Sequence, residues 1–349
     1  MQNAKLELDG HSIITSELVN RHNAEVGSTV SAEELTEYTA KLALILDLAY
    51  QAFERRQPAA AIVDRLAQRL HELRKQARRE IWQQLIPLAQ QHRVSEYLMH
   101  DPFTRWSFEK PRGYSGDASL LDIYYKHSSA DDIVASSTPL GREIFAYTSD
   151  AASSEAGRER RTILAQTVDE TARRNPEAEV LAVACGHLRE AELSNALTTG
   201  ALKRWVGLDQ DPISVAIVNR DLSGSCVEAM EGSVRGLLRR AYNLGTFDLV
   251  YASGLYDYLP RAVGVRLLQR LLELVKPGGE FLFANFSDEI TTDGYMETFM
   301  DWPLILRSAD DMRDIIKSSV DMNHVDAEVY YGSNRNIVYG KIRKRSPQP

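Results

Sequence analysis

The chain has 349 residues, enough for one large domain or two smaller ones with a sizeable core. Apolar residues make up 44% and charged residues 26%, and the formal net charge of −8 argues against a nucleic-acid-binding surface. No leader pattern and no run of 18 apolar residues is evident, and Cys185 and Cys226 suit small buried residues in a reducing compartment. The expectation is a cytoplasmic protein with no membrane or nucleic-acid partner and no metal.

In chain order, residues 1–30 show weak periodicity and read as strand or irregular structure. From Ser31 to about Arg93 the pattern is helical. Ser31-Ala-Glu-Glu is close to a capping box, and Leu42, Leu44, Ile45, Leu48 and Ala49 recur at helical spacing. A second amphipathic helix follows Pro58, with Ile62, Leu66, Leu70 and Leu73 on one face. Between Asp101 and Asp117 the helical pattern breaks at Pro111, Gly113 and Gly116, which predicts a shaped loop rich in aromatic residues. Helices resume at 118–127, 139–148 and 155–174.

From Ala178 onward strands and helices alternate. Strands are expected at 180–184, 203–208, 225–228, 247–252 and 280–285, with helices at about 189–197, 212–221, 234–242 and 262–275 between them. Such alternation predicts a parallel sheet with helices on both faces. Two further strand-like runs, 326–331 and 336–341, flank Gly332-Ser333-Asn334-Arg335 and read as a hairpin. The fold class is therefore α/β, with residues 1–150 as a mainly helical cap or substrate domain and 151–345 as the domain carrying the sheet.

The densest functional signal is Glu179–Pro212, a strand, a turn at Cys185-Gly186, a helix, a second strand and an acidic tip. A glycine turn under a helix start leaves backbone N–H groups free to face a polar ligand. Asp209 lies 23 residues after Gly186, near the spacing at which a Rossmann-like unit holds ribose hydroxyls with a carboxylate. Taken in order, VLAVACGHLRE, Asp209, Gly232-Ser233, FDLVYASGLYDYLP and LVKPGGEFLFANF resemble the successive motifs of class I S-adenosylmethionine (SAM)-dependent methyltransferases. The sheet closed by a C-terminal antiparallel hairpin is that family's Rossmann-like arrangement.

The resemblance implies SAM as cofactor. Ala184, Gly186 and Glu190 would lie at its methionine end, Asp209 and Gln210 at the ribose, Gly232 and Ser233 near the adenine, and Ser253 and Gly254 on the fourth-strand tip. The chain departs from the family in having one glycine, Gly186, where G-x-G-x-G is usual. A nicotinamide enzyme is disfavoured by the same missing glycines and by the hairpin.

A narrower similarity lies in ACGHLRE, KPRGYSGD, SGLYDYL and MDWPLILRS. These resemble bacterial 3-hydroxypalmitate methyl ester (extracellular factor) biosynthesis proteins and azetidine-2-carboxylate synthases. The resemblance implies methyl transfer to a small hydroxy-acid, acyl or natural-product acceptor, at a carboxylate or hydroxyl oxygen. Its alternative is intramolecular cyclisation or lysis of SAM with release of methylthioadenosine. A non-catalytic interaction protein is a third reading, opposed by Asp209 and the aromatic strand tip.

An aromatic enclosure stabilises a sulfonium cation by about 1–2 kcal/mol when desolvated. Tyr114, Tyr256 and Trp302, with Asp117 and Asp257, are the candidate catalytic residues, and Tyr251 is a further aromatic candidate. For Tyr251 and Tyr256 ordinary packing is the competing reading. Asp117 is either a helix cap or a site carboxylate, and Arg112 either a carboxylate clamp for the substrate or the cofactor or a salt-bridge partner. His187 is a general base or a buried turn histidine. The helical domain has room for a homodimer contact.

Overall fold

Short polar residues ahead of apolar stripes start several of the helices. Ser31 accepts the Glu34 N–H before Ala32–Glu54, Asp101 accepts from Phe103 and Thr104 before Pro102–Glu109, and Thr138 accepts from Gly141 before Pro139–Thr148. In the last two a proline stands in the first turn, where no intrahelical N–H bond is lost. The computed structural model describes residues 30–346, so the expected structure of the first 29 residues lies outside the described part.

The described chain divides into two units, residues 30–155 with 290–304, and residues 156–289 with 305–346. The first unit is helical. Its helices Ala32–Glu54, Ala59–Gln76 and Arg79–Gln91 bury Leu42, Leu46, Ile62, Leu66, Leu70, Ile81 and Leu85. The buried stripe of the first helix runs through Leu42, Leu46, Ala49 and Phe53, whereas Leu44 and Leu48 stay about 60% exposed. Two overlapping apolar spacings exist in that helix, and packing selected one.

The stretch from Asp101 is not all loop. Pro102–Glu109 is helical and ends where Lys110 turns left-handed at φ 47°, leaving 110–117 as the loop. The Asp-Pro start outweighed the later glycines and proline.

Segment 290–304 belongs to the first unit although it follows the fifth strand. Its helix Asp293–Phe299 is held by a polar network. Arg74 donates to Asp293 (2.8 Å) and to Glu297 (2.7 and 3.0 Å), Trp82 Nε1 donates to Glu297 (2.6 Å), and His71 Nδ1 lies 2.7 Å from Asp293.

The second unit is a seven-stranded sheet: β1 (Ala178–Val183), β2 (Leu202–Asp209), β3 (Val227–Glu231), β4 (Phe247–Ala252), β5 (Val275–Phe286), β6 (Val325–Tyr331) and β7 (Ile337–Lys344). The order is β3-β2-β1-β4-β5-β7-β6, parallel from β3 to β5, with β7 antiparallel to both β5 and β6. This is the α/β arrangement expected from the strand–helix alternation. β1 is buried along its whole length, as a central parallel strand covered on both faces must be.

Helices Pro212–Asp221 and Arg261–Glu273 match expectation, and the core gathers Leu181, Val250, Leu267, Leu271, Phe281 and Ile315. The helix expected at 189–197 is absent; a 3-10 turn, Ala191–Leu193, and a four-residue helix, Asn195–Thr198, replace it. The Asp169 carboxylate accepts from Ser194 Oγ and the N–H groups of Asn195 and Ala196, restarting the chain there. The helix expected at 234–242 stops at Leu238, because Arg240 adopts φ 58°. Among the described residues no helix is long and apolar enough to cross a membrane.

Candidate active site

Strand order reverses between β1 and β4, and in an open parallel sheet the crevice beyond the carboxyl ends of such strands is the natural ligand position. The chain leaving β1 turns left-handed three times in five residues, at Ala184 (φ 54°), Gly186 (φ 53°) and Leu188 (φ 51°). The loop thus keeps an alternating left-handed path, with alanine and leucine at two of its three positions. Leu188 N–H closes it onto Cys185 O (2.9 Å), and Cys185 N–H reaches Leu208 O (3.3 Å).

Asp209, at the tip of β2, ties this loop to its neighbour. One carboxylate oxygen accepts Gly186 N–H at 2.7 Å and the other accepts Asp211 N–H at 2.9 Å. Burial pushes the carboxyl pKa up, opposed by those two N–H groups. Each oxygen retains a second lone-pair direction. Gln210 is half-buried beside it. Gly232 N–H donates to Asp209 O at 2.8 Å, and a Cβ there would fall 2.6 Å from Leu208 Cγ, so the close approach requires glycine. Ser233 Oγ caps the helix Val234–Leu238, and its N–H donates to Tyr242 OH at 2.9 Å.

On the β4 side, Tyr251 OH donates to Glu190 at 2.6 Å, joining the end of the β1 loop to the β4 strand. Both groups are buried, and burial raises both pKa values. Arg160, from the helix Ala152–Arg174, donates to Ser253 O at 2.7 Å and lies over the Phe286 ring at 5.8 Å. Gly254 is half-buried next to it. Asp257 accepts Phe286 N–H at 2.6 Å, and burial pushes its carboxyl up to about 6 against the opposing charges of Arg160 and Arg307.

Tyr256 is fully buried in the core, tilted against Phe283 with ring centroids 4.6 Å apart. Its ring therefore packs inside the unit and does not face a solvent-accessible enclosure. Tyr251 is equally buried and spends its hydroxyl on Glu190.

Four candidates belong to the first unit. Asp117 caps Ala118–Tyr125, accepting from Ser119 (2.8 Å) and Leu120 (3.0 Å), and also accepts Trp106 Nε1–H at 3.0 Å. Arg112 donates to Ser119 Oγ at 2.7 Å, and burial pushes the Asp117 carboxyl up, opposed by the hydrogen bonds it accepts and by the Arg112 charge. Tyr114 is half-buried in the 110–117 loop, between residues next to two left-handed glycines, Gly113 and Gly116. Trp302 is buried edge-on to Phe103 at 6.5 Å.

Arg160 was not singled out from sequence, although a signal exists. It falls at i+4 from Ala156 and four before Leu164 and eight before Val168, all buried, so a cation interrupts an apolar stripe. Among the described residues no His, Cys, Asp and Glu cluster suits a metal ion.

No protein-family model matches the chain, and no curated protein does. Among solved structures, the chain is similar to a protein of Bordetella parapertussis described as a possible exported protein, at 16% identity and TM-score 0.53, over 91% of this chain and 100% of that one. It is also similar to the N-methyltransferase NodS of Bradyrhizobium japonicum bound to S-adenosyl-L-homocysteine (15%, TM-score 0.40, 57% and 90% coverage). The magnesium protoporphyrin IX methyltransferase ChlM of Synechocystis with bound SAM is a further neighbour (12%, TM-score 0.40, 65% and 97%). At this identity the first likeness shows a shared fold.

Proposed function

We propose that the chain is a SAM-dependent methyltransferase acting on a small-molecule acceptor at a carboxylate or hydroxyl oxygen. The observation that carries this reading is Asp209, a buried carboxylate at the β2 tip that orders the left-handed β1 loop and keeps lone pairs for two ribose hydroxyls. The residues present suit the cofactor. The 184–188 loop lines the methionine side, Glu190 and Arg160 supply opposite charges on the β4 side, and Gly232 lets the chain pass close to β2. When bound, the cofactor supplies a methyl group on a positively charged sulfur. A carboxylate acceptor arrives already ionised, so orientation and exclusion of water are what the chain must provide.

The test is to incubate purified protein with SAM alone and then with pooled hydroxy acids, reading the nucleoside product by mass spectrometry. S-adenosylhomocysteine formed only with an acceptor is expected. Methylthioadenosine formed without acceptor would replace the transferase reading by SAM cyclisation or lysis. Asp209→Ala is expected to weaken SAM binding by at least about 100-fold, the scale of two charge-assisted hydrogen bonds. Micromolar binding retained by that variant would mean another residue holds the ribose.

A further inference from the structure

We propose that the exposed face of the helices Ala32–Glu54 and Ala59–Gln76 docks a second copy of this chain across a two-fold axis, with the two first helices antiparallel. The first helix carries two apolar spacings, and only one of them enters the core of its unit. The other runs through Leu44, Ile45, Leu48 and Ala52 and lines a groove of about 640 Å³ beside the second helix. Leu44 and Leu48 stand one helical turn apart and are 61% and 59% exposed. Charged side chains, among them Lys41, Arg55 and Arg65, border them. An apolar strip inside a polar rim is the anatomy of a protein–protein contact.

Charge identifies the occupant. Tyr38 OH donates to Gln76 O at 2.9 Å, so the end of the second helix lies beside the start of the first. One end of the face is therefore basic: Arg55 and Arg65 stand there, and neither has a carboxylate partner among the described residues. The other end carries Glu37 and Glu72, whose only cations are exposed neighbours on their own helices, Lys41 at 2.6 Å and Arg69 at 3.4 Å. Such pairs are worth about 0.3–0.5 kcal/mol and leave each carboxylate able to accept from another cation. A face acidic at one end and basic at the other complements itself when turned end for end, which is what a two-fold axis does. With the axis at the level of Leu46, Leu44 of one copy meets Leu48 of the other. Glu37 and Arg55 lie about 13.5 Å to either side of Leu46 along the helix, so each Glu37 comes level with the Arg55 of the other copy. Two helices side by side offer about 30 Å by 20 Å, roughly 600 Å² per copy, at the lower end of specific interfaces, so the dimer should be reversible at micromolar concentration.

The experiment is sedimentation velocity of the full chain over about 1–200 μM at low salt, where a monomer–dimer equilibrium is expected. Leu44→Glu combined with Leu48→Glu should weaken association at least about 100-fold. Glu37→Arg alone, or Arg55→Glu alone, should weaken it about tenfold, because each reversal sets like charges together at both ends of the seam. The two reversals combined should return it to within about threefold of wild type. All four positions are exposed, and an unchanged thermal melt of each variant at about 1 μM shows that it is folded. A wild type that sediments as a monomer throughout overturns the inference, and so does a dimer indifferent to the leucine variant. A dimer that needs the leucines but is not restored by the double reversal overturns it too, since the two faces would then meet in another orientation.

Discussion

Ala184 and Leu188 occupy left-handed backbone that costs an L-residue about 1–2 kcal/mol, and each bears that cost differently. Leu188 is buried, and burying a leucine recovers about 2 kcal/mol. Ala184 is half-buried and has no such offset, so its strain is held by the bonds of the loop to Leu208 and Asp209. Ala184→Val, which adds a β-branch to positive φ, is expected to lower Tm by about 5 °C, whereas Ala184→Gly should leave it unchanged or slightly raised. Scanning calorimetry of the two variants decides this. A valine variant melting within about 1 °C of wild type would show that the loop relaxes and stores no strain. The sequence made Gly186 and Asp209 legible because both residue types carry their chemistry openly. It could not reveal two more left-handed positions, since alanine and leucine have no propensity for them.

At the scale of elements, local signals and long-range ones separate cleanly. β4 and the helix Pro212–Asp221 were legible to the residue, one from an apolar run and the other from an Asp-Pro start. The parallel sheet followed from strand–helix alternation, and the hairpin from the Gly332–Arg335 turn between two strand-like runs. The place of Ile290–Leu304 was not legible, because what holds it comes from more than two hundred residues away: Arg74 and Trp82 on Glu297, and Arg74 and His71 on Asp293. Glu297→Ala leaves the Arg74 cation and the Trp82 N–H short of a buried acceptor. The expected loss is about 2–3 kcal/mol from the first unit, visible as a lower urea midpoint followed by tryptophan fluorescence. An unchanged midpoint would mean that apolar packing of Tyr295, Met296 and Phe299 suffices to dock this helix.

Across the whole molecule, stability should depend on pH in a direction set by a few buried carboxyls. Asp101 in the first unit and Asp257 in the second are both buried, and burial pushes each up to about 6 from 3.8, despite the hydrogen bonds each accepts. Between those pH values the folded chain keeps protons that the unfolded chain has released, so stability falls as pH rises from about 4 to about 6. Glu179 acts in the opposite sense. Against burial, hydrogen bonds from Lys276 and Lys203 and the charge of Arg204 hold it down to about 2, so its contribution is present above about 4.5 and lost as the pH falls towards 2. The two tendencies place the optimum near pH 4, and stability falls from there towards neutral pH. The urea midpoint is therefore expected to be higher at pH 5 than at pH 7. Asp257→Asn, which keeps an acceptor for Phe286 N–H but cannot titrate, should shrink the difference in the transition of the second unit and leave that of the first unaltered. A variant that retains the full difference would show that Asp257 is ionised in the folded chain at pH 5, its charge held by Arg160 and Arg307 more strongly than burial opposes it.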